Sequence, residues 1–160
     1  MTSSKHLNLN IKIITQRKDV HRFKIIGKKK TAGLKLSGME IKSIRNGQIS
    51  INDAYIVTQK SELYLYKASV STYRYASLFS KKNLTNQAWK LLLKKSEISQ
   101  LTTQMKAKNY NLIPLKVFIN ERGWAKLEIT LAQTLKKFQA KALAKEKAAK
   151  KRLQRREYEE

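Results

Sequence analysis

The chain has 160 residues, and its 35 Lys and Arg against 11 Asp and Glu give a formal net charge of +24 at pH 7. This charge favours RNA as a partner over acidic proteins or membrane surfaces, because basic side chains that bind phosphates release the counterions condensed on a nucleic acid. No apolar stretch is long enough to span a bilayer and Cys is absent, so we expect a cytoplasmic protein without a membrane partner, disulfides or a thiolate metal site.

The first third of the chain predicts a basic extension followed by two strands and a short helix. Residues 1–19 are polar and basic, as is typical of an N-terminal extension. Residues 23–26 carry an aromatic and two Ile, and residues 34–36 alternate apolar with polar, so each segment predicts a strand. Gly38 permits a sharp turn, and the helical spacing that follows predicts a helix over residues 39–45.

The middle of the chain predicts more of the same sheet. Aliphatic and aromatic residues favour strands at 49–51, 54–57, 63–66 and 68–70, with Tyr55 as a core ring.

Beyond this sheet, residues 72–85 predict a long loop, and the segments 89–95 and 96–108 have helical patterns. Ser96 is the predicted N-cap of the second segment. The apolar stripe of that helix is expected to consist of Ile98, Leu101 and Met105.

A hairpin is predicted after the second of these helices. Pro114 introduces a predicted strand at 115–119, and residues 120–123 form a turn in which Gly123 supplies a positive φ. The last strand is predicted at 124–131. One face of that strand carries Trp124, Lys126, Glu128 and Thr130.

About six short strands with helices between them predict a mainly β protein with short helices. The pattern fits an OB-like closed β-barrel over residues 20–134, and a split mixed sheet fits the same pattern. Residues 135–160 are rich in Lys, Arg and Ala and lack Gly and Pro, so we predict a basic, conditionally helical C-terminal tail. The apolar stripe of this tail is too thin to hold it on a core, since it consists of Leu135, Phe138, Ala142, Ala149 and Leu153.

Basic side chains of the predicted barrel are candidates for binding RNA phosphates. Trp124 predicts a stacking platform, worth about 1–3 kcal/mol per base, or else an aromatic ring that covers one end of the barrel. Glu40 either orients a neighbouring lysine beside the RNA or caps its own helix. The basic candidates are Lys35, Lys42, Arg45, Lys90, Lys94 and Lys126.

The chain lacks the patterns of an enzyme. His6 and His21 have no nucleophile motif beside them, the carboxylates are scattered, and no glycine-rich phosphate loop occurs. We therefore expect no catalytic residue, no cofactor and no metal. A generic OB-fold binder of single-stranded RNA, or a small ribosomal protein, also accounts for the charge and the barrel.

Several blocks resemble one known family. Residues 32–45 resemble the signature A-G-x-x-L-x-G-x-E-[VI]-K-S-[LI]-R of the SsrA-binding protein (SmpB) family. Residues 52–55 resemble its x-D-[SA]-Y block and residues 90–93 part of its R-K-L-L-L block. Residues 110–115 match Y-x-[LV]-[VI]-P-L, and residues 123–128 are similar to its last hairpin and strand. The order and spacing of these blocks, from about residue 17 to 141, identify the family better than any one block.

The resemblance implies an escort of transfer-messenger RNA. The barrel would bind the tRNA-like domain of that RNA and deliver it to stalled ribosomes for trans-translation, with elongation factor Tu reached through the RNA. The chain would act as a monomer, and its tail would probe the empty mRNA channel beside small-subunit RNA. Phe138 would stack on ribosomal RNA or pack back on the barrel. The implied tail contacts are Lys136, Lys137, Phe138, Lys141 and Lys145.

The chain also departs from the family pattern. Thr31 stands where relatives have an RNA-facing Glu, and Gln87 and Trp89 stand where they have Arg. Thr134 and Gln139 replace a Gly and an Asp of the family's tail motif. These changes point to a drifted relative, in which bulk phosphate attraction is strengthened and individual contacts differ. Drift in an A/T-rich genome accounts for part of the Lys excess but not for the scarcity of acidic residues.

Overall fold

The structure, a computed structural model, describes residues 11–71 and 88–157. The predicted loop at 72–85, Gln87 and the first ten residues of the predicted extension lie outside these ranges. Within them the chain forms ten strands, three α-helices and a 3-10 turn at Val20–Arg22. The strands are β1 Lys12–Gln16, β2 Phe23–Ile25, β3 Lys30–Leu34, β4 Ile49–Ser50, β5 Tyr55–Gln59, β6 Glu62–Tyr66, β7 Ser69–Val70, β8 Trp89–Leu92, β9 Asn111–Ile119 and β10 Ala125–Thr134. The helices are α1 Gly38–Arg45, α2 Lys95–Lys108 and α3 Lys137–Glu157.

Eight of the strands form one antiparallel sheet. Its order is β1-β9-β10-β3-β8-β6-β5, and β2 pairs with the far end of β10. The strands β4 and β7 form a separate two-stranded sheet. The prediction of a mainly β protein with helices is confirmed.

The prediction of a closed barrel is wrong. The sheet curls until β5 lies beside β9, but in the ranges described no ladder joins its two end strands, β1 and β5. Side chains span this seam instead: Arg17 Nη1 donates to the Ala54 carbonyl at 2.6 Å, and the Lys18 N–H donates to Asn52 Oδ1 at 3.1 Å. Alternation of apolar residues defines which face of a strand is buried, but barrel closure depends on tilt and stagger that the pattern does not carry.

The core lies inside the curled sheet and is capped by α1 and α2. Leu65, Leu91 and Leu127 are fully buried on neighbouring strands, and each buried side chain of this size contributes roughly 1.5–3 kcal/mol. The predicted stripe of α2 is confirmed, because Ile98 and Leu101 are buried and Met105 packs against the same cluster.

Residues 89–95 are not helical as predicted. Trp89 and Leu91 are buried while Lys90 and Leu92 face outward, so β8 has the period of two of a strand. The next helix, α2, begins at Lys95, so Ser96 is not its N-cap. The Glu97 carboxylate accepts a hydrogen bond from the Lys94 N–H at 3.1 Å, which closes the first turn.

Pro114 lies inside β9 and does not introduce it. Proline has no N–H to donate, so it is tolerated in a sheet mainly at edges and irregularities. Here it faces Ile129, next to a register shift between Glu128 and Ile129 of β10. The predicted turn is confirmed, with Gly123 at φ +80°.

The tail forms α3 and begins against the 3-10 turn. The Leu135 N–H donates to the Arg22 carbonyl at 3.0 Å, and Leu143 is half-buried beside Val20 and Phe23. Further along, Leu153 is 61% exposed, so little of the helix contacts the sheet. No helix in the described ranges is long and apolar enough to cross a membrane.

Candidate nucleic-acid interface

The outer face of the sheet gathers lysines from three parts of the chain. Lys126 on β10 lies opposite Gly33 on β3, and Gly33 lies opposite Leu92 on β8. Residues two apart on a strand share a face, so Lys90 lies on this same face. The N–H of Lys35 donates to the Lys90 carbonyl at 3.0 Å, which fixes the exposed Lys35 beside it.

Gly33 lies against Leu92 and beneath the ammonium group of Lys126. A Cβ on Gly33 would lie 3.6 Å from Lys126 Nζ and 3.1 Å from the Cβ of Leu92. The ammonium group of Lys126 therefore lies over the backbone of β3. The close approach of the Leu92 Cβ, which is tighter than an ordinary contact, favours glycine at this position.

A groove lies at one end of this face, between α1 and the β9–β10 turn. Its volume is about 320 Å³, and Leu34, Leu36 and Ile41 form its apolar floor. Two guanidinium groups, from Arg45 and Arg122, line its rim. We call this the Trp124 groove, since Trp124 completes its lining.

The side chains of the Trp124 groove are held in place by the hairpin turn. Arg45 Nη2 donates to the Gly123 carbonyl at 2.8 Å, and the Trp124 N–H donates to Asn120 Oδ1 at 2.8 Å. The Trp124 side chain stays 65% exposed, so its ring does not close off the end of the sheet. An exposed indole between guanidinium groups is the arrangement on which unpaired bases stack.

Glu40 is buried and caps its helix. Its Oε2 accepts from the Ser37 N–H at 2.6 Å, while Ser37 Oγ accepts from the Glu40 N–H at 3.4 Å, which makes a capping box. Its Oε1 accepts from the indole N–H of Trp89 at 3.1 Å. The capping alternative of the sequence analysis is therefore observed, and direct contact of Glu40 with RNA stays a prediction.

The remaining candidates on the sheet are accessible. Lys42 lies exposed on α1, and Lys94 is exposed just before α2. Lys90 Nζ lies 3.4 Å from Glu62 Oε1, and both side chains are about one third exposed. A pair this exposed is worth little, so a phosphate can replace the Glu62 carboxylate as the partner of Lys90.

A carboxylate lies opposite the position of Thr31. The cross-strand partner of Thr31 is Glu128, whose carboxylate lies 3.1 Å from Lys116 Nζ and 3.7 Å from Lys29 Nζ. Thr31 itself is exposed on the same face.

Sequence reasoning missed two aromatic residues and one arginine of this surface. Tyr55, expected in the core, is 43% exposed and stacks on Tyr66 with ring centroids 5.7 Å apart. Lys67 Nζ lies 5.9 Å from the Tyr55 ring centroid. The sequence pattern that could have predicted an aromatic face is the spacing of Tyr64 and Tyr66, since residues two apart lie on the same face of β6. Arg122 gave no signal beyond its charge.

The residues predicted to contact the ribosome come after β10 in the sequence, just before α3 and within it. Lys136, Lys141 and Lys145 are exposed, and the Lys136 N–H donates to Gln139 Oε1 at 3.3 Å at the start of α3. Lys137 and Phe138 fall in the first turn of α3. The roles given to these five residues stay predictions.

The chain matches one protein family over most of its length. The model of the family described as "SmpB protein" matches residues 13–159. An SsrA-binding protein of Geobacillus kaustophilus is 35% identical over 144 residues, which cover 90% of this chain and 91% of that protein. Another from Thermoanaerobacter pseudethanolicus is 37% identical over 123 residues, or 77% of each chain.

A solved structure gives the same likeness in three dimensions. It is described as "tmRNA-SmpB: a journey to the center of the bacterial ribosome" and superimposes with a TM-score of 0.62 at 31% identity. The superposition covers 77% of this chain and 85% of the solved chain.

Proposed function

This chain belongs to the SmpB family, and from that premise we propose that it binds transfer-messenger RNA and acts with it on ribosomes in trans-translation. The tRNA-like domain of that RNA is the part bound by the sheet. The complex is delivered to stalled ribosomes, where the incomplete peptide is tagged and released. The chain contributes binding and positioning, and the ribosome carries out peptide transfer.

One observation carries this proposal: the cations and the exposed indole lie on one face of the sheet. Lys35, Lys90 and Lys126 lie on three adjacent strands or their ends, and the Trp124 groove with Arg45 adjoins them. Lysines on a rigid sheet meet phosphates without losing much conformational freedom, while an indole accepts a base of any identity. This combination suits a folded RNA that presents backbone and a few unstacked bases.

The tail serves the ribosome and not the tRNA-like domain. We place the boundary of the RNA-binding unit at residues 20–134, with residues 1–19 as an extension and residues 135–160 as the tail. Few tertiary contacts hold α3, because Ala142, Ala149 and Leu153 are exposed. A helix with so little packing is marginal alone, so it refolds against RNA in an empty mRNA channel.

We further propose that the protein is a cytoplasmic monomer and that it is linked to elongation factor Tu only through the RNA that both bind. It needs no cofactor, since every step assigned to the chain is binding.

The test is a competition binding assay at near-physiological salt. Labelled transfer-messenger RNA from the same organism is displaced by unlabelled transfer-messenger RNA, ordinary tRNA or unstructured RNA of equal length. We expect displacement by the first at a concentration at least tenfold lower than by the unstructured RNA, because specific sites add to the common phosphate attraction. Equal displacement by all three would show that charge alone does the binding and would favour the generic single-strand binder.

A further inference from the structure

Gly and Pro, the residues that most readily bend a chain, are absent from the junction between the sheet and the tail. From Trp124 to Glu160 the sequence contains neither. The strand β10 continues to Thr134, which pairs with Phe23 of β2, and Asn111 Nδ2 donates to Thr134 Oγ1 at 3.1 Å. A hinge needs residues whose φ and ψ can change, so the backbone up to Thr134 has little freedom to turn the tail.

Hydrogen bonds also hold the two residues that lead into α3. The Leu135 N–H donates to the Arg22 carbonyl at 3.0 Å, and the Lys136 N–H donates to Gln139 Oε1 at 3.3 Å. The helix begins at the next residue. The link between β10 and α3 is therefore short and is bonded both to the body of the protein and to the helix.

A small apolar cluster on the sheet receives the helix. Leu143 is half-buried and lines a groove together with Val20 and Phe23. These two residues pack on a second buried cluster, separate from the main core. That cluster consists of Ile113, Leu115 and Ala132. The Leu135 hydrogen bond and the Leu143 contact are two separate anchors, and two anchors along one segment set its direction.

Beyond Leu143 the helix projects into solvent. Residues 144–155 are all exposed. The segment 144–157 is the rest of α3, and at about 1.5 Å per residue it extends about 21 Å. A helical segment of this length without packing is marginal, so this is the part of the tail that can refold.

Like charges hold this segment off the sheet. The groove beside the helix has a volume of about 490 Å³. The charged and titratable residues that line it are His21, Lys24, Glu146, Lys147 and Lys150. The Glu146 carboxylate lies 3.2 Å from Lys150 Nζ of its own helix, so the groove keeps a net positive charge. Repulsion between the lysine of the sheet and those of the helix opposes closer packing.

We propose that Leu143 is a positioning residue: by docking α3 on the sheet, it presets the direction in which the tail leaves the RNA-binding unit. Residues 134–143 act as a fixed bracket, and only the segment 144–157 rearranges when it meets a channel. A preset direction reduces the conformational entropy that the tail loses on entering that channel. The effect on ribosome rescue rests on the function proposed above, while the dock itself can be measured in the free protein.

Spin labels on the full-length protein without RNA test the dock. The chain has no Cys, so Lys12→Cys with Arg152→Cys gives one label on β1 and one in the outer part of α3. Double electron–electron resonance measures the distance between the labels in this background, with Leu143→Ala and with Leu153→Ala. Alanine is a better helix former than leucine, so both variants keep the helix. Leu153 is 61% exposed, which makes it the matched control.

We expect one narrow distance distribution in the unchanged background and with Leu153→Ala. Leu143→Ala should broaden the distribution, because one of the two anchors is lost. A broad distribution in the unchanged background, or the same narrow one with Leu143→Ala, would overturn the dock.

A translation assay with stalled ribosomes tests what the dock does. Leu143→Ala should lower the rate of ribosome rescue about five- to thirtyfold, the equivalent of restricting the backbone of one more residue. Its affinity for transfer-messenger RNA should stay unchanged. Leu143→Met should keep most of the rate, since methionine fills the same apolar site.

Val20→Ala truncates the dock from the side of the sheet. Val20 is not part of the tail, so a lost contact between the tail and the ribosome cannot explain its effect. It should also lower the rate of rescue, and its combination with Leu143→Ala should cost less than the sum of the two changes.

Full rescue by a Leu143→Ala protein whose labels show loss of the dock would overturn the positioning role. Loss of RNA binding by the unchanged protein would instead count against the function proposed above, and the label distances would still decide whether the dock exists.

Discussion

At the scale of single residues, the two tryptophans have opposite roles. Trp89 is 2% exposed and donates its indole N–H to Glu40, while Trp124 is 65% exposed beside Arg45. One tryptophan therefore holds the fold of α1 against β8, and the other is available to a ligand. RNA should quench mainly the fluorescence of Trp124.

Trp89→Phe should destabilise the protein. It removes the donor to Glu40 Oε1 and leaves a buried carboxylate oxygen unpaired, which costs about 1–3 kcal/mol. Urea unfolding measures the loss. Trp124→Phe is the matched control and should leave the unfolding midpoint unchanged, since that side chain makes no buried hydrogen bond. Equal midpoints for the two variants would show that the Trp89–Glu40 bond contributes no net stability.

Trp124→Ala should weaken binding of transfer-messenger RNA by about five- to a hundredfold, the equivalent of one stacked base. Trp124→Phe should recover part of the loss because its ring still stacks. Fluorescence anisotropy at fixed salt gives both affinities. If the alanine variant bound as tightly as the unchanged chain, the Trp124 groove would not be part of the RNA interface.

At the scale of elements, the β9–β10 turn positions the Trp124 groove. Gly123 has φ +80°, and a Cβ there would lie 3.4 Å from Arg45 Nη2. Because of that positive φ, Gly123→Ala should strain the turn by about 1 kcal/mol and disturb the Gly123 carbonyl that accepts from Arg45, lowering RNA affinity.

Gly38→Ala is the control for that change. Gly38 begins α1 with open space where its Cβ would lie, so alanine should keep or slightly raise stability and leave RNA affinity as it is. Melting temperature and RNA affinity are measured for both variants. If Gly38→Ala lowered affinity as much as Gly123→Ala did, the effect would not come from the turn.

Elements with a strong local pattern could be predicted from sequence, and long-range partners could not. The alternation in β6 and the stripe of α2 gave the right elements. At β8, however, the leucines at 91–93 beside lysines resemble a helix, and the alternating burial of residues 89–92 and their pairing with β3 and β6 show the strand. Glu40 and Trp89 are 49 residues apart, so no local spacing could reveal their bond. The candidate lysines were chosen for their charge, and their role in binding RNA stays a prediction. Tyr55 was assigned to the core because aromatic residues in strands are usually buried, and it is exposed.

At the scale of the whole molecule, the sheet and the tail should be separable. Ending the chain at Leu135 keeps its hydrogen bond to Arg22 and removes α3. We expect near-normal binding of transfer-messenger RNA and loss of rescue in a translation assay with stalled ribosomes. Parallel loss of binding and rescue would contradict this division of labour. The control is the full-length chain at the same ionic strength, because the tail also carries cations that attract RNA nonspecifically.

The seam of the sheet has a consequence for its motions. Arg17 is 7% exposed there, and its guanidinium contacts Asp19 at 2.6 Å, the Ala54 carbonyl at 2.6 Å and the Phe23 ring at 5.0 Å. At the seam, the Arg17 side chain thus links strand ends that elsewhere in the sheet are joined by backbone hydrogen bonds. Local opening of the sheet should therefore begin at the seam. The amide protons of β1 and β5 should exchange with deuterium sooner than those of β10, which has strands on both sides.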